Sequence, residues 1–165
     1  MNTLGSHPGA ILFRFSMLAI LIVILIGTFI SYVEKSQETV EQAAILQTKR
    51  VINSALAVIF STYAVKGRLN DIGELDGGNP FEFLDGYDIL TSAYQGEIDT
   101  ELNPDMVPGW YYQTHLGRTA YKSRFIPANV YFTVVLEFDD VNQSGQFEPK
   151  QDVFRYLQFV EVGNT

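Results

Sequence analysis

Residues 11–33 read ILFRFSMLAILIVILIGTFISYV, and this stretch decides how the rest of the chain is organised. Its only charged residue is Arg14, close to its start. About 20 apolar residues, each rising about 1.5 Å along a helix, span the hydrocarbon core of a bilayer. We therefore predict a transmembrane helix over 11–33, preceded by a short tail over 1–10.

Two alternatives to a permanent membrane anchor exist for this stretch. A buried helix of a soluble protein is disfavoured, because so small a domain offers no place for it. A cleaved signal peptide is the stronger alternative, but the apolar stretch is long for one and no pair of small residues marks a cleavage site near its end. We expect the helix to stay on the chain as an anchor.

The helix is expected to continue well beyond the membrane. Residues 34–66 contain neither Pro nor Gly, and Gly67 then offers a C-terminal stop. The first part of this segment, 34–50, is polar, and its apolar stripe is too thin for a stable coiled-coil dimer. The second part carries a wide apolar face, made of Val51, Ile52, Ala55, Leu56, Val58, Ile59, Phe60 and Tyr63. We predict one helix of about 55 residues in which 34–66 is an amphipathic stalk that ends packed on a domain.

The C-terminal part, residues 67–165, is predicted to form a small domain. Its first section, 67–118, is rich in turn residues, with short apolar patches at 81–84 and 87–90 that should pack onto a core. Segments rich in β-branched and aromatic residues predict strands at 110–114, 119–125, 130–139 and 152–162. We predict an α+β fold, with the long N-terminal helix packed on one face of a small antiparallel sheet of three or four strands.

Charge is distributed unevenly along the chain. Residues 1–33 contain one basic and no acidic side chain, whereas residues 34–165 contain ten basic and nineteen acidic ones. An acidic domain lacks the basic footprint that nucleic acids and anionic lipid surfaces require. We therefore predict no nucleic-acid partner, and we expect contact with the membrane through the inserted helix.

No residue pattern indicates an enzyme. The chain has no cysteine, which excludes disulfides and thiolate nucleophiles. The two histidines, His7 in the tail and His115 in a predicted hairpin turn, have no partners placed for catalysis in the pattern. Glycine-rich phosphate loops and paired catalytic carboxylates are absent as well. We expect no catalytic residues and no organic cofactor.

One loop carries a candidate metal site. Residues 140–148 read DVNQSGQFE, where oxygen-bearing side chains alternate and then meet a glycine, as at the start of a calcium-binding loop. The candidate ligands are Asp140, Asn142, Ser144 and Glu148. Gln151 stands where such loops carry their last acid, and a plain hairpin turn needs the same residue types for backbone reasons. The sequence leaves both alternatives open, and calcium is the one cofactor to consider.

The overall plan resembles a type IV pilin or pseudopilin over most of the chain. Both have a long N-terminal helix, apolar and then amphipathic, followed by a loop-rich region and an antiparallel sheet. Pilins carry a glycine before the mature N-terminus and a glutamate at the fifth mature position; here Gly9 precedes Ala10, and Arg14 stands in the place of that glutamate. In the family the acid pairs with a neighbour's N-terminal amine, which the positive Arg14 cannot do. The resemblance implies a pilin-like fold.

A second, local resemblance lies in residues 109–124, GWYYQTHLGRTAYKSR. They are similar to the GWxYxxxxGxxxYxxR hairpin of accessory proteins in MSHA (mannose-sensitive haemagglutinin) pilus systems. The two resemblances together imply a non-enzymatic accessory protein of pilus biogenesis that acts by protein–protein interaction. The implied partners are other pilus-assembly or pilin-like proteins in the membrane. The candidate contact residues are Arg14, Gly27, Trp110 and Tyr112.

The candidate contact residues differ in the role that their positions suggest. Gly27 allows close approach of another helix in the membrane, whereas core packing under the long helix is the favoured alternative for Trp110 and Tyr112.

The orientation of the span in the membrane is not decided by charge. Arg14 precedes the span while Lys35 and Lys49 follow it, so the positive-inside rule is nearly balanced. The resemblance implies a cytoplasmic N-terminus and a periplasmic C-terminal domain at a bacterial inner membrane.

Two further functional hypotheses stay open on the sequence. The first is an atypical minor pilin or pseudopilin that enters the filament at its tip, where no neighbour above would need the missing glutamate. The second is a membrane-tethered calcium- or ligand-binding module unrelated to pili.

Overall fold

A computed structural model of the chain describes residues 8–84 and 93–163. The helices are α1 (Pro8–Val65), a 3-10 helix (Leu69–Leu75) and α2 (Pro80–Leu84). The strands are β1 (Tyr94–Ile98), β2 (Gly109–Gln113), β3 (Arg118–Lys122), β4 (Val130–Asp139) and β5 (Val153–Val162). The chain divides into two compact units, Met1–Val40 and Glu41–Thr165. The fold is α+β, as predicted; His7 and the predicted patch at 87–90 lie outside the described residues.

In the first unit, α1 is an apolar helix whose side chains are exposed. Its exposed large apolar residues range from Ile22 at 46% to Tyr32 at 73% exposure. The hydroxyl of Thr28 donates to its own helix, at Leu25 O, over 2.9 Å, so it brings no unmet donor into an apolar solvent. Among the described residues, α1 is the one helix long and apolar enough to cross a membrane, which fits a single-pass membrane anchor.

In the second unit, α1 buries one face. The buried positions are Glu41, Ile45, Ile52, Ala55, Leu56 and Ile59. Their spacing of mostly three, four and seven residues places them on one side of the helix. The predicted apolar face is confirmed from Ile52 to Ile59, but Val58 is 51% exposed and lies outside it. Phe60 extends the packing by stacking on Phe154 of β5, with ring centroids 4.1 Å apart.

Helix α1 ends at Val65, two residues before the predicted stop at Gly67. Gly67 has φ +67°, a left-handed conformation that suits glycine at a helix C-terminus. The N–H of Arg68 donates to Tyr63 O at 2.9 Å, and the N–H of Gly67 donates to Ala64 O at 3.2 Å. These two bonds satisfy the last helical carbonyls in the manner of a Schellman motif, so the chain leaves the helix at this point.

The five strands form one sheet in the order β1-β2-β3-β4-β5. Strands β2 to β5 are the antiparallel meander that the sequence predicts. Strand β1 is a correction, because it pairs in parallel with β2 and makes the sheet five-stranded and mixed rather than antiparallel with three or four strands. It is a five-residue strand whose pattern is interrupted by Gly96, and it lies in a segment dominated by turn residues, so its local signal is weak.

The core of the second unit is centred on Trp110, which is 2% exposed. Its ring centroid lies between 4.9 and 6.3 Å from those of Phe81, Tyr121, Phe132 and Phe159. In α2, Phe81 and Leu84 are each 1% exposed, so the predicted patch at 81–84 does pack onto the core. Aromatic side chains from α2, β3, β4 and β5 therefore meet at one residue of β2, and this residue organises the domain.

The connection between β1 and β2 is fastened to the sheet by a polar network. Arg118 Nε donates to Gln113 Oε1 at 2.7 Å, and the guanidinium lies 4.2 Å from the ring centroid of Tyr131. Gln113 Nε2 donates to Thr100 O at 3.1 Å, and Arg118 pairs with Glu101 at 3.2 Å. Because buried polar groups are costly unless bonded, this network fixes the crossover that allows β1 to run parallel to β2.

Candidate functional site

The residues of the 109–124 hairpin motif lie on β2, β3 and the flanking turns. Gly109 has φ +150°, and a Cβ there would lie 2.5 Å from Ala93 O. A side chain does not fit at this approach, which lets the N–H of Trp110 donate to the same carbonyl at 2.9 Å. Trp110 was a candidate contact residue, but the structure places it in the core, in the manner of the core-packing alternative.

Tyr112 and Gly117 of the motif meet at one backbone carbonyl. Gly117 has φ +58°, and a Cβ there would lie 3.2 Å from Gly77 O. The Tyr112 hydroxyl donates to the same oxygen at 2.7 Å. Tyr112 is half-buried, and burial, followed by the charges of Glu97 and Glu82, raises its pKa. This part of the motif holds the turn before α2 against the β2–β3 hairpin.

The last two motif positions, Tyr121 and Arg124, converge on Glu41 of α1. Glu41 is only 8% exposed. Its Oε1 accepts from the Tyr121 hydroxyl at 3.1 Å and from the Arg124 backbone N–H at 2.8 Å. Its Oε2 accepts, at 2.8 to 3.0 Å, from the Ser123 hydroxyl and the N–H groups of Phe125 and Ile126. Five donors surround one carboxylate, which has about four lone-pair sites, so its acceptor capacity is fully used.

The electrostatics of this cluster follow from the same contacts. Burial is the largest single influence and by itself raises the pKa of Glu41, but the backbone N–H groups of residues 124–126 and the Ser123 hydroxyl outweigh it, so the pKa is lowered from its usual value. Burial and then the charge of Glu41 raise the pKa of Tyr121 to about 12. At neutral pH the cluster therefore holds a carboxylate and an intact phenol that donates to it.

The candidate calcium ligands lie in the β4–β5 connection. The Asp140 carboxylate accepts the N–H of Ser144 at 3.0 Å and that of Gly145 at 2.7 Å. Gly145 has φ +75°, as expected where the chain turns sharply. Asn142 Nδ2 donates to Glu148 Oε2 at 2.6 Å. The four candidate ligands thus share one loop, where they bond to one another and to the backbone.

The acid that ends this loop, Asp152, has a structural role. It is 8% exposed, and its two oxygens accept the N–H of Val141 at 3.0 Å and that of Glu148 at 2.7 Å. Within residues 8–84 and 93–163, no group of three or more His, Cys, Asp or Glu side chains is placed to hold a metal ion. These contacts are those of the hairpin-turn alternative, and calcium binding stays a prediction.

The two candidate contacts in the span and the remaining histidine are exposed. Arg14 is open to the surroundings, and a Cβ on Gly27 would meet nothing within 4 Å, so a neighbouring helix has room to approach. His115 lies in the β2–β3 turn with Nδ1 3.9 Å from Asp99 Oδ1. A contact this long to an exposed carboxylate adds little.

Glu41 is the residue that sequence reasoning missed. It lies in the polar segment 34–50, where an acid is expected to be solvated. Its spacing carried a signal, because Glu41 and Ile45 lie on the same face of the helix as Ile52, which belongs to the apolar face that the sequence predicts to be packed on a domain. The partners could not be read in the same way, since Tyr121 follows 80 residues later in the chain.

Comparisons with family models, with curated proteins and with solved structures find no significant match.

Proposed function

We propose that this chain is a non-enzymatic, membrane-anchored accessory protein of type IV, MSHA-type pilus biogenesis, similar in plan to the MSHA biogenesis protein MshF. It acts by binding other pilus-assembly or pilin-like proteins. One observation carries the proposal: α1 is continuous from Pro8 to Val65, exposed and apolar in the first unit and buried along one face in the second. A single helix that joins these two sections resembles the plan of pilin-like proteins.

The surface offered to a partner lies on the helix. Val58 and Val65 are 51% and 90% exposed, and together with Ala57 and Ser61 they line a shallow apolar depression on the outer side of α1. Apolar side chains exposed in this way on a domain favour association. In the span, Gly27 is the proposed point of close helix approach. Trp110 and Tyr112 support this role indirectly, because they stabilise the fold of the domain.

Photo-cross-linking in the native cells tests the proposed interaction. A photoreactive residue at Val58 should capture a pilus-assembly or pilin-like protein, identified by mass spectrometry. The matched control is the same probe at Val153, 57% exposed on β5, which should not capture it. Deletion of the gene should reduce surface pili, and the wild-type gene should restore them. Unchanged pilus number after deletion would overturn the proposal.

The proposal places the N-terminus in the cytoplasm and the domain in the periplasm of a bacterial inner membrane. Because the chain has no cysteine, single introduced cysteines can be labelled without background. A cysteine at Ser36 should react with a membrane-impermeant maleimide once the outer membrane is permeabilised. Labelling only after the inner membrane is broken would show the opposite topology, with the domain in the cytoplasm.

An atypical minor pilin at the filament tip is the second candidate, because the same helical plan suits a subunit that enters a filament. Intact mass and N-terminal sequence of the protein from native membranes separate the two. A start at Met1, with no protein in sheared filaments, supports the accessory function. A start at Ala10, with protein in the filaments, supports the minor pilin. A start beyond residue 33 would overturn both.

A further inference from the structure

The turn that follows β3 directs several backbone donors at one place. The N–H groups of residues 124–126 all lie within 3.0 Å of the Glu41 carboxylate. The turn also has bonds of its own, since Ser123 Oγ accepts the N–H of Ile126 at 2.7 Å and Asn129 Oδ1 accepts the N–H of Ser123 at 3.3 Å. Successive N–H groups that point to one centre form an anion-binding nest.

We propose that the 123–126 turn is a carboxylate-binding site and that Glu41 is its internal ligand, which fixes the point where α1 joins the domain. All contacts of this site lie within residues 41–165, and the site does not depend on the proposed role in pilus biogenesis.

The donor set explains why the site takes a carboxylate. The bonds to Glu41 come from backbone N–H groups and from the hydroxyls of Tyr121 and Ser123. Arg124 contributes its N–H, while its guanidinium lies 5.2 Å from the Phe125 ring centroid. Recognition therefore depends on directed hydrogen bonds to two oxygens rather than on a cation. A planar anion with two oxygens fits this set, whereas a spherical anion such as chloride can meet only part of it.

The position of Glu41 in α1 determines what its contact with the 123–126 turn does in the fold. The compact unit of the domain begins at Glu41, and the next buried residue of α1 is Ile45. Four helical residues correspond to about 6 Å of helix. If the carboxylate leaves the turn, the first buried turn of the helix loses its polar anchor, and packing of α1 on the domain then begins at Ile45.

Amide hydrogen exchange on the full chain in detergent micelles tests the inference. In Glu41→Ala the amides of residues 124–126 lose their acceptor, and we expect their exchange to become about tenfold faster or more. Sodium formate should restore their protection, and sodium chloride at equal ionic strength should not. Glu34→Ala removes an exposed glutamate from the same helix and should exchange as the wild type does, with or without formate.

Two results would overturn the proposal. One is unchanged protection of residues 124–126 in Glu41→Ala. The other is failure of formate to restore their protection while the remaining strands stay protected. Should Glu41→Ala fail to fold, Glu41→Gln decides instead, because it keeps one acceptor oxygen and turns an NH₂ toward the donors. Faster exchange at residues 124–126 in that variant supports the site, and exchange equal to the wild type overturns it.

Discussion

Helix α1 runs through two regions in which the same residue types differ in solvent exposure. In the first unit Ile24 is 58% exposed, whereas in the second Ile52 and Leu56 are fully buried. Both regions are helical, so helix propensity does not separate them. The first is apolar all round up to residue 33, which suits lipid, and the second is apolar along one face, which suits packing on a sheet. Exposure of an isoleucine in this protein therefore depends on its region.

Polar groups show a parallel contrast. The Thr28 hydroxyl bonds to Leu25 O of its own helix, whereas the Glu41 carboxylate bonds to a turn more than 80 residues later in the chain. A polar side chain in the first region is satisfied locally, and one in the second region can join distant segments. Matched substitutions in the two regions should therefore differ sharply in their effect on domain stability.

The largest difference is expected between two aromatic residues. Trp110→Ala should lower the free energy of unfolding of the domain by about 3–5 kcal/mol, because it empties the centre of the core. Tyr32→Ala, at a position 73% exposed in the first unit, should change it by less than about 0.5 kcal/mol. Denaturant unfolding of both variants is followed by circular dichroism. Tryptophan fluorescence cannot be used, because Trp110 is the only tryptophan and Trp110→Ala removes it. Similar losses for the two variants would contradict the division of α1.

A pair of glutamates should give the next largest difference. At neutral pH, Glu41→Gln should destabilise the domain by about 1.5–3 kcal/mol, because it removes the charge and replaces one of the two acceptor oxygens with an NH₂ donor. Glu34→Gln, at an exposed position, should cost less than about 0.5 kcal/mol. Thermal or denaturant unfolding of the three proteins side by side gives these values. Equal stability of Glu41→Gln and wild type would show that the carboxylate charge is unimportant.

The effect of Glu41 should also depend on pH, with a definite sign. Its folded pKa lies below the unfolded value of about 4.5, so its stabilisation is present above that pH and is lost as pH falls through the folded pKa. The stability gap between wild type and Glu41→Gln should therefore narrow below about pH 4.5. Unfolding curves from pH 7 downward measure the gap. A gap that widens on acidification would mean that the folded pKa is raised instead.

Two glycines, one in each region, should also differ in how much an alanine substitution destabilises the domain. Gly117→Ala should destabilise the domain by about 1–2 kcal/mol, because φ is +58° there and the new Cβ would lie 3.2 Å from Gly77 O. Gly27→Ala has open space around it and should leave domain unfolding unchanged. If Gly27 is a point of helix approach, this variant should instead reduce cross-linking to partner helices. A stability loss equal to that of Gly117→Ala would contradict the open environment of Gly27.

The smallest effect is expected in the β4–β5 loop. Asp140 already accepts two backbone N–H bonds, so millimolar calcium should leave the melting temperature within about 1 °C of its value in chelator. A clear rise, absent in Asp140→Asn, would support the calcium-binding alternative and a tethered module. Circular dichroism melts with calcium, magnesium and chelator make the comparison, with magnesium as the control cation.

Much of the architecture could be predicted from local pattern. Strand β4 coincides with the predicted segment 130–139, and β5 begins one residue later than predicted. The missed strand β1 has weak propensity of its own and depends on pairing with β2. The candidate contact Trp110 shows the limit for site prediction, since an aromatic strand residue has the same local signature whether it faces a partner or a core.

The apolar span, the length of α1 and its end just before Gly67 could be read from the sequence. Hydropathy, the absence of Pro and Gly from residues 34–66, and the left-handed conformation of glycine are local properties. The parallel pairing of β1, the close approach of Gly117 to the Gly77 carbonyl, and the nest around Glu41 depend on the tertiary structure. These features depend on backbone groups of residues far apart in the chain. Every residue except proline carries a backbone N–H, so nothing in the sequence marks the three that bind Glu41.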